Sequence, residues 1–136
     1  MNVSLMQLML RLKQRCVAKE ADIRRRFKLS PAEYSCLLVL ESGKPVNGAG
    51  FAGLAGLSAS RASRVMTKLL KSAFVTVEQC AANRREVEIL LTARGESVKN
   101  GIASEFAECE RGIMDAVPIS ERPNVNRVLS LLIELI

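Results

Sequence analysis

Apolar residues recur along this chain first at helical spacing, then at strand spacing, then at helical spacing again. From Val3 to about Arg26, Leu5, Leu8, Met9, Leu12, Cys16 and Ile23 share one face of a predicted long helix. Arg11, Lys13, Arg15, Lys19 and Arg24 to Arg26 occupy its other sides. Met6 and Leu10 widen the apolar side beyond what one core needs, which points to a second partner surface. Ser30-Pro31-Ala32-Glu33 starts a second helix, with Ser as N-cap, Pro in the first turn and Glu closing a capping box. Its apolar positions Leu37, Leu38 and Leu40 carry it to Ser42-Gly43, where Gly43 can supply a C-cap. Lys44-Pro45-Val46-Asn47 then reads as a connection with one short strand pair.

Gly48-Ala49-Gly50-Phe51-Ala52-Gly53 has the glycine spacing of a dinucleotide-binding loop. That loop needs an apolar strand before it and a βαβ unit around it, and neither is present. The stretch reads instead as a short helix, about Ala49 to Ala55, burying Phe51, Leu54 and Ala55. Its glycines cost roughly 1 kcal/mol each relative to Ala, so packing must hold it. Gly56-Leu57-Ser58 is a tight turn, and Ser58 is placed to cap the helix that follows.

That next helix sorts into two faces. Ala62, Val65, Met66, Leu69, Leu70 and Ala73 form an apolar stripe. Ser60, Arg61, Arg64, Thr67, Lys68 and Lys71 lie opposite, all donors and with no carboxylate among them. A basic stripe is most often a solvated face. A short helix, a glycine turn and a second helix with a basic front together make a helix-turn-helix, whose second helix reads the major groove.

After Ala73 the period becomes two. Phe74 to Gln79 and Glu86 to Leu91 read as strands, with Val87, Ile89 and Leu91 on one face. Cys80 to Arg85 is the hairpin tip, and its arginines suit the negative potential of a minor groove and its phosphates. Thr92 is the expected N-cap of a helix running to about Asp115 or Val117. Pro118 ends it and Ser120 is expected to cap the last helix. There Val125, Val128, Leu129, Leu132, Ile133, Leu135 and Ile136 leave almost no polar side. A terminal helix this apolar needs a partner, and the first helix has the same surplus; a symmetric dimer built from both ends satisfies the two together.

Charge sharpens this picture. The 136 residues carry 20 Lys and Arg against 14 Asp and Glu, a net charge of +6, which favours a polyanionic partner. The surplus sits in the first hundred residues, 17 basic against 8 acidic, while the remainder carries 3 against 6. Four cysteines without a CxxC pair, and no histidine, argue against a structural metal, and no cofactor is expected. Without histidine the usual nucleophile–base pairs cannot be built, so an enzyme is not expected. The apolar N-terminal residues precede the basic ones, the reverse of secretory order, and no apolar run reaches spanning length. A cytoplasmic protein with reduced thiols and no membrane partner is the expectation.

The order of parts resembles the multiple antibiotic resistance regulator (MarR) family of winged-helix transcription factors over nearly the whole chain. The motifs that carry it are Leu29-Ser30-Pro31-Ala32-Glu33-Tyr34, Gly56-Leu57-Ser58 leading to Ser63-Arg64, and above all Asn83-Arg84-Arg85 followed by alternating apolars and Leu91-Thr92-Ala93-Arg94-Gly95. The resemblance implies a mainly α (α+β) fold, a single domain over 1–136. Residues 29–95 would form a winged helix-turn-helix DNA-binding lobe, and 1–28 and 96–136 long dimerisation helices. It implies a homodimer on a pseudo-palindromic operator in double-stranded DNA, usually a repressor, released in some members by a small aromatic ligand. Carried over by position, Ser58, Ser60, Arg61, Ser63 and Arg64 face bases or phosphates, Lys68 and Lys71 hold phosphates, and Asn83, Arg84 and Arg85 form the wing contact. Three positions depart from the family pattern: Asn83 stands for its wing Asp, Ala73 for a Gly, and Val77 for a basic residue.

Two alternatives stay open at this stage. One is a winged helix that binds protein rather than DNA, which a weak dependence of binding on salt would favour. The other is thiol-based sensing, for which Cys80, beside the wing arginines, is better placed than Cys16 or Cys36 on packed helix faces.

Overall fold

Five helices begin at side-chain caps in the computed structural model, which describes residues 2–80, 82 and 86–136. Helix α1 (Leu5–Arg26) starts at Ser4, whose hydroxyl accepts from Gln7 N–H while the Gln7 side chain accepts from Ser4 N–H. Helix α2 (Pro31–Val39) has the predicted Ser30–Glu33 box with Pro31 in its first turn. It ends earlier than the sequence suggests, at Val39 rather than Ser42-Gly43. Leu40 swings into extended geometry (φ −81°, ψ 136°), which lets both Leu37 and Leu40 enter the core. Gly43, at φ 71°, serves the turn beyond.

Strand β1 (Val46–Asn47) leads directly into helix α3 (Gly48–Ala55), because Asn47 is both the last strand residue and the cap, its Oδ1 accepting from Gly50 N–H at 2.7 Å. In α3 the inward arc is Phe51, Ala52 and Ala55. Leu54 falls outside it and is 55% exposed, contrary to its expected burial. Gly56, left-handed at φ 65°, ends the helix, with Leu57 N–H donating to Ala52 O and Gly56 N–H to Gly53 O.

Helix α4 (Ala59–Lys71) follows, then strands β2 (Val75–Gln79) and β3 (Val87–Leu91). The sheet is antiparallel in the order β1-β3-β2, with Val46 opposite Ile89 and Val77 opposite the same Ile89. Ile89 is fully buried and sets which face of the sheet meets the helices. Helix α5 (Ala93–Ala116) begins at Thr92, and its early turns bury Ile102 and bring Gly101 against the Phe27 ring.

The chain divides into two compact units, Met1–Ile102 and Ala103–Ile136. The first holds one apolar core, with Ile23 from α1, Leu37 from α2, Phe51 from α3, Leu69 from α4 and Ile89 from β3 each at most 1% exposed. The second holds the rest of α5, a 3-10 turn (Ile119–Glu121) and helix α6 (Arg122–Leu135). Ser120 lies inside the 3-10 turn and does not cap α6. Glu121 occupies the cap position without a side-chain hydrogen bond, and Arg122 instead reaches back, donating from Nε to Val117 O at 3.0 Å. No described residue of α6 is buried. No helix among the described residues is long and apolar enough to cross a membrane.

Candidate nucleic-acid interface

Helix α4 is built by its neighbours to show one face. Ala62, Val65 and Leu69 are buried against the core and Met66 is half-buried. The apolar stripe is narrower than the sequence suggests: Leu70 is 41% exposed, and Ala73 lies beyond the helix on the surface. The opposite face carries Ser60, Arg61, Ser63, Arg64, Thr67, Lys68 and Lys71, all exposed.

Ser58 is at the N-cap, its Oγ accepting from Arg61 N–H at 3.3 Å and lying 3.4 Å from Ser60 Oγ. Thr67 turns its hydroxyl back to Ser63 O at 2.9 Å, a local bond that spends its donor inside the helix. The four cations form no ion pair among the described residues. Arg61 and Arg64 therefore sit in the first half of a helix whose first turn contains no acid. Cations near the positive end of the helix dipole are unfavourable alone and favourable once an anion arrives. The face is therefore short, basic, unneutralised and rigidly backed, which suits phosphates and base edges of a duplex.

Of the residues singled out from sequence, the structure brings Ser58, Ser60, Arg61, Ser63, Arg64 and Lys68 together on α4. Asn83, Arg84 and Arg85 lie outside the described residues. The strands on either side of them are paired: Cys80 N–H donates to Glu86 O at 3.0 Å, and Gln79 pairs with Val87. The register also sets Glu78 directly opposite Glu88, a like-charge pair that weakens the hairpin.

The cysteines are all free. Cys36 is buried, and burial pushes its thiol up, which disfavours the reactive thiolate. Cys16 is exposed rather than packed, because α1 turns only its C-terminal end into the core, through Ile23. Among the described residues no cluster of acids and cysteines is arranged to hold a metal.

Sequence reasoning assigned Thr92 only to the start of α5. In the structure its Oγ1 also donates to Ala73 O, at the end of α4, at 2.6 Å. The Leu91-Thr92-Ala93-Arg94-Gly95 spacing was the available signal, but its second partner depends on the fold.

Comparison with known proteins agrees with this geometry. The structure is similar to RV1404 from Mycobacterium tuberculosis, with a TM-score of 0.87 and 22% identity over 98% of this chain and 95% of that one. It is similar to a mutant of MepR from S. aureus bound to an oligodeoxyribonucleotide, with a TM-score of 0.78 and 14% identity over 98% of each chain. It also matches NadR in complex with 4-hydroxyphenylacetate, with a TM-score of 0.67 and 17% identity over 96% of this chain and 93% of that one. No curated protein matches the chain in sequence. Residues 29–87, which contain the turn, the basic helix and the first wing strand, match the model of the MarR family, so this lobe is similar to the winged helix of that family.

Proposed function

We propose that the chain acts as a homodimeric repressor on a pseudo-palindromic operator. In this reading α4 lies in the major groove, Ser60, Arg61, Ser63 and Arg64 read the site, and Ser58 orients the helix end. Lys68 and Lys71 hold phosphates, and Asn83, Arg84 and Arg85 reach the adjacent minor groove. The observation that carries it is the unneutralised face of α4, four exposed cations and no acid on a helix whose other side is packed.

The dimer is supported by apolar surface that one chain leaves open. On α1, Leu5, Met6, Leu10 and Val17 are more than half exposed, and on α6 Ile133 and Leu135 are more than 70% exposed. Surface of this kind on two terminal helices marks an interface, and twofold symmetry supplies a matching surface. Release by a small aromatic acid is part of the proposal. A structural neighbour, NadR, is seen with 4-hydroxyphenylacetate.

The test is a mobility-shift titration against the DNA upstream of the chain's own gene, at two salt concentrations. Affinity should fall by about one log-slope unit per neutralised phosphate. Arg64→Ala should abolish preference for the specific site, whereas Lys71→Ala should weaken specific and random duplexes alike. Equal effects of the two substitutions on both duplexes would sink the division between reading and holding, and salt-independent binding would favour a protein partner.

A further inference from the structure

The C-terminal end of α4 is fastened to the first turn of α5 by more bonds than a chain reversal needs. Helix α4 closes with Phe74 N–H donating to Leu69 O and Ala73 N–H to Leu70 O, each at 3.0 Å. That closure holds Ala73 at φ 60°, a left-handed conformation that an L side chain rarely adopts. From the other side, Thr92 N–H donates to Phe74 O at 3.0 Å, and Thr92 Oγ1 donates to Ala73 O at 2.6 Å. The same Oγ1 accepts from Gly95 N–H at 3.0 Å.

One hydroxyl thus bonds the turn that follows α4 and caps the start of α5. Two further contacts close the joint. Gly95 lies so near Phe74 that a Cβ there would collide with the Phe74 carbonyl oxygen. The Arg94 guanidinium sits 5.3 Å from the centroid of the buried Phe74 ring.

We propose that Thr92 is a positioning residue for DNA recognition: its hydroxyl fixes the angle of α4 against α5 and thereby makes the dimer measure the spacing between half-sites. The inference rests on the dimeric reading above. Two reading helices discriminate spacing only if each is held rigidly in its own protomer. Thr92 touches no DNA in this scheme and acts through Ala73 and Phe74. A capping role alone needs only the acceptor side of the hydroxyl, toward Gly95. The positioning role needs the donor side, toward Ala73.

That difference gives the test. The probe is the tightest-binding duplex selected by the wild-type chain from a randomised pool, together with versions carrying one base pair inserted or deleted between the half-sites. Wild type should lose roughly tenfold or more in affinity on either change. Thr92→Ser keeps donor and acceptor and should behave as wild type. Thr92→Asp keeps a good N-cap acceptor but has no proton for Ala73 O. It should stay folded by circular dichroism and bind the altered spacings within about threefold of the original. Thr92→Val, which loses both sides, should show the same tolerance, with a lower melting temperature.

Folded Thr92→Asp that discriminates spacing as sharply as wild type would overturn the positioning role while leaving the dimeric reading intact. A wild-type chain whose selected duplexes contain a single half-site would overturn both.

Discussion

Helix α4 is amphipathic by sequence and α6 is apolar on nearly all sides, and their fates in the fold are opposite. Helix α4 buries its apolar side, Ala62, Val65 and Leu69, within its own chain and leaves its charged side open. No residue of helix α6 is fully buried, although Val128, Leu131 and Leu135 lie on one face and Leu129 and Ile133 on another. Surface left over by a folded chain is where its partners go. The α4 surplus is cationic and calls for a polyanion. The α6 surplus is apolar and calls for protein.

The largest effect that separates the two helices is expected at their apolar positions. Leu69→Ala removes a fully buried side chain and should cost about 2–5 kcal/mol in urea unfolding, at every protein concentration. Leu131→Asp, at a half-exposed position, should instead yield a single-chain mass in sedimentation. It should also abolish the rise of melting temperature with protein concentration expected of a dimer. A Leu131→Asp variant that still sediments as a dimer would break the comparison, since α6 would then not be the covered surface.

A smaller effect lies at the end of α4. Ala73→Gly removes the Cβ from a left-handed residue and should stabilise the chain by about 1 kcal/mol, read as a higher urea midpoint. A neutral or destabilising result would mean that the Schellman turn is relaxed in solution.

The smallest is at the chain's single tyrosine. The Tyr34 hydroxyl is buried without a hydrogen-bond partner among the described residues, so Tyr34→Phe should be neutral or stabilising by up to about 1 kcal/mol. Burial chiefly pushes the phenol above its ordinary 10.0, with the Glu20 charge adding and Arg24 opposing. The fold therefore holds this proton more tightly than the unfolded chain does. The associated stability is complete below pH 10 and is lost as pH rises through the folded value. Phenolate absorbance should appear only above the normal range, and Tyr34→Phe should flatten that alkaline loss.

What the sequence made legible was local. The Ser30–Glu33 box, the Ser58 cap, the short Gly-rich helix and the two strands each follow from residues within one turn or one hairpin of each other. The misread features depend on distant partners. Helix α2 stops early because Leu40 is wanted in the core, and its carbonyl then receives the Lys99 ammonium from α5. Leu54 is outside because α3 faces inward through Phe51, which no period within eight residues can fix. The basic face of α4 was readable because it is defined by what it lacks, namely any acid. Thr92 was half-readable: the cap is encoded four residues deep, while the bond to Ala73 spans the whole wing.

Asn47 joins the last residue of β1 to the first turn of α3, and its strand neighbour Val46 pairs with Ile89. During synthesis the ribosome makes Val46 well before Ile89, and the intervening residues are the helix-turn-helix and the wing itself. At about 5–20 residues per second this gap lasts roughly two to nine seconds. For that interval the strand that carries the α3 cap has no sheet to join, and helix α4 is made before the sheet behind it can close. The sheet that closes this lobe is thus completed only after Ile89 has been made.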